Sequence, residues 1–346
     1  MLSRFALLAA AAALALGALA DPSVAEERPA KELFGAKRLP ARMDSQPYGS
    51  YAKGCIGGAV AIPTDGPAWQ AMRLSRNRRW GHPQMIALIE RFSQDARALG
   101  WPGLLLGDIS QPRGGPMLNG HASHQVGLDA DIWFTPMPDR RLSADEREKL
   151  PFTSMLDKSR FLTVDAKRWT PTHARLVMKA ASYPEVERVF VNPAIKKKLC
   201  DTWAGDRALL GKVRPIYGHD EHFHIRMKCP PGAAGCKPQA AVPAGDGCDK
   251  SLAWWFTKEP WAKPEPKKKD AKPVKPRFTM LSDLPKACAV VLAGPSPASE
   301  QEVTYRGGAG GALAFSDAGG PSVEALIAAD ASALPAVVPI PIPRPQ

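Results

Sequence analysis

One segment, residues 107–134, constrains the fold of this chain more than any other. The end of the segment alternates between apolar and polar side chains, which predicts a strand with one buried face. Because side chains alternate along a strand, Asp129 and Asp131 share one face. The glycine-rich sequence before the strand predicts a loop that carries His121 and His124. A chain of this length can fold back, so we expect His124 and Asp131 to meet at one point.

A second segment, residues 217–226, holds three more histidines, so five of the seven histidines lie in two short segments. His222 and His224 are two positions apart, and on a strand both would point to the same face. Imidazole and carboxylate groups are common zinc ligands. A catalytic zinc site has three protein ligands and a fourth position that stays open. The two segments together therefore predict a catalytic metal site.

The spacing of these residues carries a family resemblance. His124-x6-Asp131 followed by His222-x-His224 resembles the metal signature of the zinc peptidases that group lysostaphin-type endopeptidases with D-Ala-D-Ala carboxypeptidases. Three longer blocks, GDISQPRGGPM, GHASHQVGLDADIW and HDEHFHIRMKCP, are similar to the penicillin-insensitive murein endopeptidase family. The resemblance covers roughly residues 35–290 and includes the positions of all six cysteines.

The resemblance implies a role for each of these residues. Its zinc ligands correspond to His124, Asp131 and His224. His222 corresponds to a catalytic residue beside the last ligand, where it acts as general base or as transition-state stabiliser. His121 and His219 correspond to further catalytic positions near the metal, where they orient the substrate or water or support the ligands.

The activity that the resemblance implies is zinc-dependent hydrolysis of D-alanyl-meso-diaminopimelyl cross-links in peptidoglycan, by attack of a metal-activated water. Two alternatives stay open. One is a zinc D-alanyl carboxypeptidase acting on murein stem peptides. The other is a non-catalytic murein-binding protein of the same fold, although a binding protein has no need of a complete ligand set together with His222.

The chain begins with the pattern of a secretory signal peptide. A basic start is followed by an apolar run and an A-x-A-like site at Ala18-Leu19-Ala20. We therefore expect residues 1–20 to be removed and the mature protein to be periplasmic, without a stable membrane anchor. An uncleaved anchor is the alternative, but the run is short for a membrane span.

Six cysteines in a secreted chain predict disulfides rather than free thiols. Cys229 and Cys236 enclose a short loop rich in proline and glycine, so we pair them first. The resemblance implies two further pairs, Cys200 with Cys248 and Cys55 with Cys288. A structural zinc at some of these cysteines is the competing interpretation, but no C-x2-C pair exists.

We predict one domain, residues 21–292, of the α+β class, with a mostly antiparallel sheet flanked by helices and stapled by disulfides. Residues 263–277 form a linker rich in lysine and proline. Composition predicts a disordered tail over residues 293–346, rich in alanine, glycine and proline. The pattern of apolar residues and caps predicts helices at Pro83–Leu99, after Ser143 and at Thr172–Ser182, and strands at 104–109, 128–134, Val186–Val191 and His222–Met227.

The net charge of +12 favours an acidic partner. No nucleic-acid-binding motif is present in the sequence, and a secreted chain rarely meets nucleic acid, so we expect peptidoglycan and its free carboxylates instead. Arg113 is a candidate substrate-binding residue, with bracing of its loop as the alternative. Asp129 is expected in a turn or beside the ligands rather than as a ligand, and for Asp108 both roles stay open. His82 and His173 are expected to be structural.

Overall fold

A computed structural model describes residues 28–263 and 277–307 of the chain. The expected signal peptide, most of the predicted linker and the segment 308–346 lie outside the described residues. Among the described residues, no helix is both long enough and apolar enough to cross a membrane.

The centre of the molecule is a seven-stranded sheet in the order β10-β9-β11-β8-β7-β5-β4. Four of its six strand pairs are antiparallel and two are parallel, which confirms the predicted mostly antiparallel α+β architecture. Two small two-stranded sheets, β1-β2 and β3-β6, lie beside it. The strands are β1 Gln46–Ser50, β2 Lys53–Gly57, β3 Val60–Ala61, β4 Asp65–Gly66, β5 Trp69–Ala71, β6 Trp80–Gly81, β7 Leu104–Leu106, β8 Asp129–Trp133, β9 Val186–Val191, β10 Val213–Pro215 and β11 His222–Met227.

Seven α-helices accompany the strands in the described part of the chain: α1 Ala30–Gly35, α2 Pro83–Ala98, α3 Ala144–Lys149, α4 Pro171–Ser182, α5 Pro193–Thr202, α6 Lys250–Trp254 and α7 Ala287–Ala293. Helix α2 begins at a proline and ends before Gly100, whose positive φ of 83° suits glycine. The capping box predicted at Ser143 is present, with Glu146 as its partner. These helices confirm the boundaries predicted from caps to within two residues.

Strands β8 and β11 are neighbours at the middle of the sheet, and their register positions the candidate site. Within this antiparallel pair, His224 lies opposite Asp131, and His222 lies opposite Trp133. The polar side chains of both strands therefore share one face of the sheet. Phe223 points to the other face, where it meets the ring of Phe92 on α2 at 6.2 Å between centroids. The main hydrophobic core lies on that second face and holds the two strands in place.

Three disulfides close the fold, and they are the three pairs expected: Cys55–Cys288, Cys200–Cys248 and Cys229–Cys236. The first joins β2 to α7 across 233 positions of sequence. It lies in a second hydrophobic cluster with Phe34 of α1. The interpretation of a structural zinc at the cysteines is wrong for this structure, because all six sulfurs are bonded in pairs.

The boundary predicted for the disordered tail, residue 293, is too early. Residues 294–307 pack on the domain: Val303 is fully buried and Tyr305 is 6% exposed. The backbone amide of Tyr305 donates to the carbonyl of Ala61 at 2.8 Å. Composition misplaced the boundary because this stretch resembles the following tail in its small residues, while single apolar side chains fix it to the core. The domain therefore continues at least to Gly307.

Candidate metal centre

His124 is held on its loop by bonds that leave one ring nitrogen free. The side chain is fully buried, and the backbone adopts the left-handed region, with φ of 66°. Its backbone amide donates to Asp129 Oδ2 at 2.9 Å, and its Nδ1 lies 2.7 Å from the carbonyl oxygen of Ile109. A carbonyl only accepts, so Nδ1 carries the hydrogen and Nε2 presents a lone pair.

His224 is oriented in the same manner by a carboxylate. Its Nε2 lies 2.8 Å from Asp129 Oδ1, the oxygen that also accepts from Arg226 Nε at 2.7 Å. Although burial raises the pKa of Asp129, the charge of Arg226 outweighs it and keeps that pKa well below its ordinary range. Asp129 is therefore ionised and accepts the hydrogen on Nε2. The Nδ1 atom of His224 therefore carries no hydrogen and keeps its lone pair.

Both lone pairs converge on one oxygen of Asp131. His124 Nε2 and His224 Nδ1 each lie 3.4 Å from Asp131 Oδ1. In the described part of the chain, His124 Nε2 and Asp131 Oδ1 are buried without a hydrogen-bond partner. Buried polar atoms are almost always satisfied, so three converging lone pairs indicate that a cation belongs between them. Two imidazoles and one carboxylate fit the ligand chemistry of zinc.

The pKa values of the two histidines also show that the cluster favours one positive charge. Burial lowers the pKa of His124, but the charge of Asp131 outweighs burial and raises that pKa to about 9. Burial lowers the pKa of His224 to about 3, despite the opposing effect of Asp129. In the metal-free cluster at neutral pH, a proton on His124 Nε2 therefore takes the place of the cation, and His224 is neutral.

His222 lies at the edge of this cluster and is reached by solvent. Its Nε2 is 3.7 Å from Asp131 Oδ1, and its side chain is 22% exposed. His219, also in the left-handed region, bonds through Nδ1 to the carbonyl of Tyr217 at 2.8 Å. Its ring lies 4.9 Å from that of His222, and burial together with His222 lowers its pKa. The two rings form one wall of the site.

His121 lies on the opposite side and offers a second triplet of ligand atoms. Single ligand atoms of His121, His124 and Asp131 all lie within 4.8 Å of one another. However, His121 Nε2 lies 2.9 Å from Asp108 Oδ2 and 3.6 Å from Asp131 Oδ2. Although burial raises the pKa of Asp108, its bond to His121 and the nearby arginines bring it to about 2. The ring nitrogen nearest to Asp131 is therefore already engaged with an ionised carboxylate.

Arg113, the candidate substrate-binding residue, is not placed to bind substrate. It is 1% exposed, and its Nη1 donates to the carbonyls of Val291 and Leu292 at 2.7 Å each. The same guanidinium also donates to Leu39 and to Ser296 Oγ. The alternative prediction, bracing of the loop, describes what the side chain does. Its planar fork suits several carbonyl oxygens as well as it suits a carboxylate.

Sequence reasoning missed the arginines around the site. Arg226 holds Asp129, and its signal was available, since it lies two positions after His224 and shares the strand face. Asp108 is surrounded by Arg76 and Arg78, which donate to Oδ2 at 3.1 and 2.9 Å. These arginines come from a loop between β5 and β6, and their sequence has no feature that indicates the contact.

Comparisons with known proteins identify the family of this chain. The family model described as penicillin-insensitive murein endopeptidase matches residues 47–293. A penicillin-insensitive murein endopeptidase of Haemophilus influenzae is 46% identical over 255 residues, which cover 73% of this chain and 84% of the relative. Relatives of the same name from Klebsiella pneumoniae and Pectobacterium atrosepticum are 40% and 38% identical, over 86% and 95% of their own lengths. This chain belongs to the penicillin-insensitive murein endopeptidase family.

Proposed function

We propose that this protein is a zinc-dependent murein endopeptidase of the periplasm that hydrolyses D-alanyl-meso-diaminopimelyl cross-links. The observation that carries the proposal is the convergence of His124 Nε2 and His224 Nδ1 on Asp131 Oδ1 at a buried point. Family membership supports a peptidase that acts on murein. The three disulfides agree with an oxidising compartment.

We assign the three zinc ligands to His124, Asp131 and His224 rather than to the triplet that contains His121. A ring whose nitrogen already binds the ionised Asp108 has no lone pair to offer on that side. His224 has its second nitrogen fixed by Asp129, as metal-bound histidines usually have. His121 is then a group at the edge of the site that orients substrate or water.

The side chains around the three ligands transfer protons during hydrolysis or hold other residues in position. A zinc ion at this site would lower the pKa of its water and polarise the scissile carbonyl. His222, partly exposed beside Asp131, is placed to accept a proton and return it to the leaving amine. His219, whose ring lies 4.9 Å from that of His222, helps to hold the His222 ring in position. Arg226 and Asp129 keep His224 in the required tautomer.

Two other functions compete with this proposal. A zinc carboxypeptidase that releases terminal D-alanine would use the same centre, so the site residues alone do not separate the two. A non-catalytic murein-binding protein is disfavoured, because buried and unsatisfied ligand atoms cost stability and serve no purpose in a binding surface.

Muropeptide analysis tests the proposal. Purified mature protein would be incubated with defined cross-linked dimers and with linear pentapeptide monomers, with and without a chelator, and the products identified by mass spectrometry. We expect dimers to be converted to monomers, and this conversion to stop with chelator and to recover with added zinc. Release of D-alanine from monomers alone would establish the carboxypeptidase instead. Binding without any product would establish the binding protein.

A further inference from the structure

A short basic loop lies against the candidate metal centre, on the side of His121. Its single 3-10 turn, Leu74–Arg76, lies between two residues in the left-handed region, Arg73 and Asn77, each with φ of 53°. Non-glycine residues adopt this conformation at a cost and only where the surroundings enforce it. The structure meets this condition, because Glu148 accepts from both the backbone amide and the hydroxyl of Ser75, at 2.8 and 2.9 Å.

Two arginines of this loop differ in how fully their guanidinium groups are hydrogen-bonded. Arg78 is buried, with a side chain 7% exposed, and its guanidinium is shared between Asp108 and Asn119. Arg76 is 38% exposed and, within the described residues, makes one side-chain hydrogen bond, to Asp108 Oδ2 at 3.1 Å. The guanidinium of Arg76 therefore keeps hydrogens without a partner among the described residues, and the side chain is reached by solvent.

The charges around Asp108 do not balance. The Asp108 carboxylate faces two guanidinium groups, so its single negative charge does not neutralise both, while the other nearby carboxylate, Asp131, lies 3.6 Å from His121 Nε2. Arg76 Nη1 and His121 Nε2 lie 3.1 and 2.9 Å from the same oxygen atom of Asp108, so the guanidinium of Arg76 lies beside His121. A planar guanidinium with free hydrogens binds a carboxylate in a bidentate manner.

The proposed substrate offers such a carboxylate. In a D-alanyl-meso-diaminopimelyl cross-link, the carbon that bears the scissile nitrogen also bears a free carboxylate. We propose that Arg76 is a substrate-binding residue that recognises this carboxylate on the amine side of the scissile bond. This inference rests on the proposed function and takes the place of the role first expected for Arg113.

The test compares two substrates and three variants of the full mature protein. The substrates are cross-linked dimers in which the carboxylate beside the scissile nitrogen is either free or amidated. The variants are Arg76→Gln, Arg76→Lys and the control Arg91→Gln, which removes an arginine of α2 that pairs with Glu185. We expect Arg76→Gln to lower kcat/KM on the free acid by about 10- to 100-fold, the range for a hydrogen bond to a charged group. On the amidated dimer we expect less than about a threefold change, and Arg91→Gln should leave both rates unchanged.

Binding gives a second measurement that does not depend on turnover. The affinity for the monomer product that carries the freed diaminopimelate amine should fall in Arg76→Gln. Arg76→Lys should have an affinity between those of the parent and Arg76→Gln, because lysine keeps the charge and loses the bidentate geometry of the guanidinium. Equal losses on the free and amidated dimers would overturn the inference and show that Arg76 only neutralises Asp108. Unchanged rates on both dimers would overturn it as well. If the parent protein cleaves neither dimer, the proposed function fails, and this inference falls with it.

Discussion

Single nitrogen atoms decide what the candidate centre can bind. The carbonyl of Ile109 and the carboxylate of Asp129 each take the hydrogen of one ring, so His124 and His224 turn lone pairs toward Asp131. Neither partner is a ligand, yet both select the tautomer that makes a ligand. The left-handed backbone of His124 belongs to the same arrangement, because its amide bonds to Asp129 Oδ2.

Zinc binding should release about one proton from the ligands at pH 6. The pKa of His124 is raised to about 9, so its ring is protonated there and must lose the proton. The pKa of His224 is lowered to about 3, so that ring is already neutral. Zinc affinity should therefore fall by about tenfold for each unit that the pH drops below 9. Titration calorimetry in buffers of different ionisation enthalpy measures the proton count. A count of zero would contradict the protonation of His124.

Two neighbouring histidines on β11 should behave differently when each is replaced by alanine. His224→Ala should lose zinc and activity together, because it removes a ligand. His222→Ala should retain zinc while kcat falls by at least about a hundredfold, the usual contribution of a general base, with little change in KM. Zinc content and kcat measured side by side separate the two roles. Loss of zinc in His222→Ala would make His222 a ligand, and normal turnover would make it a bystander.

At the scale of elements, the site depends on the pairing of β8 with β11. These strands come from segments about ninety residues apart, and their antiparallel register sets His224 opposite Asp131. A shift by one residue would turn every polar side chain of one strand into the hydrophobic core. Phe223 and Ile132, both fully buried on the second face, penalise such a shift. The hydrophobic core thus specifies the geometry of the polar face.

Helix α7 is attached to the loop before the site through Arg113. Arg113→Ala would leave the carbonyls of Val291 and Leu292 buried without a donor, so we expect it to lower the free energy of unfolding by at least about 2 kcal/mol. The kcat/KM of the protein that remains folded should stay within about threefold of the parent. Denaturant unfolding and kinetics below the transition check both values, with the exposed Arg160→Ala as control. Normal stability with a large loss of kcat/KM would restore Arg113 as a substrate-binding residue.

For the whole molecule, the C-terminal limit of the domain has a direct test. Truncation after Gly307 should leave stability and activity on soluble muropeptides nearly unchanged. Truncation after Pro295 removes Val303 and Tyr305 from the core, together with the ion pair between Glu300 and Arg79, and should lower the melting temperature by several degrees. Thermal unfolding and initial rates of the two truncated proteins provide the comparison. Equal stability of both would move the boundary back to residue 293.

The pattern of residues along the chain specifies the local elements and the chemistry of the site. Caps, glycines and apolar spacing located α2, α3 and α4, and alternation located β8 and β11, because these signals act between residues near in sequence. The spacing of His124, Asp131 and His224 pointed to zinc through residue type and family resemblance. The short strands β4 and β5 were missed, and the strand predicted at 104–109 is shorter in the structure, where β7 ends at Leu106, since pairing between distant segments makes these residues strands.

Packing between distant segments sets which partner each polar side chain meets. Arg113 and Arg76 are the same residue type in stretches that both lead to the site, yet one is buried among carbonyls and the other faces solvent beside Asp108. Likewise, the burial of Val303 and Tyr305 depends on a surface supplied by β3 and its neighbours. Burial and hydrogen bonding between residues far apart in sequence are properties of the packed chain. For that reason no pattern of neighbouring residues predicts them.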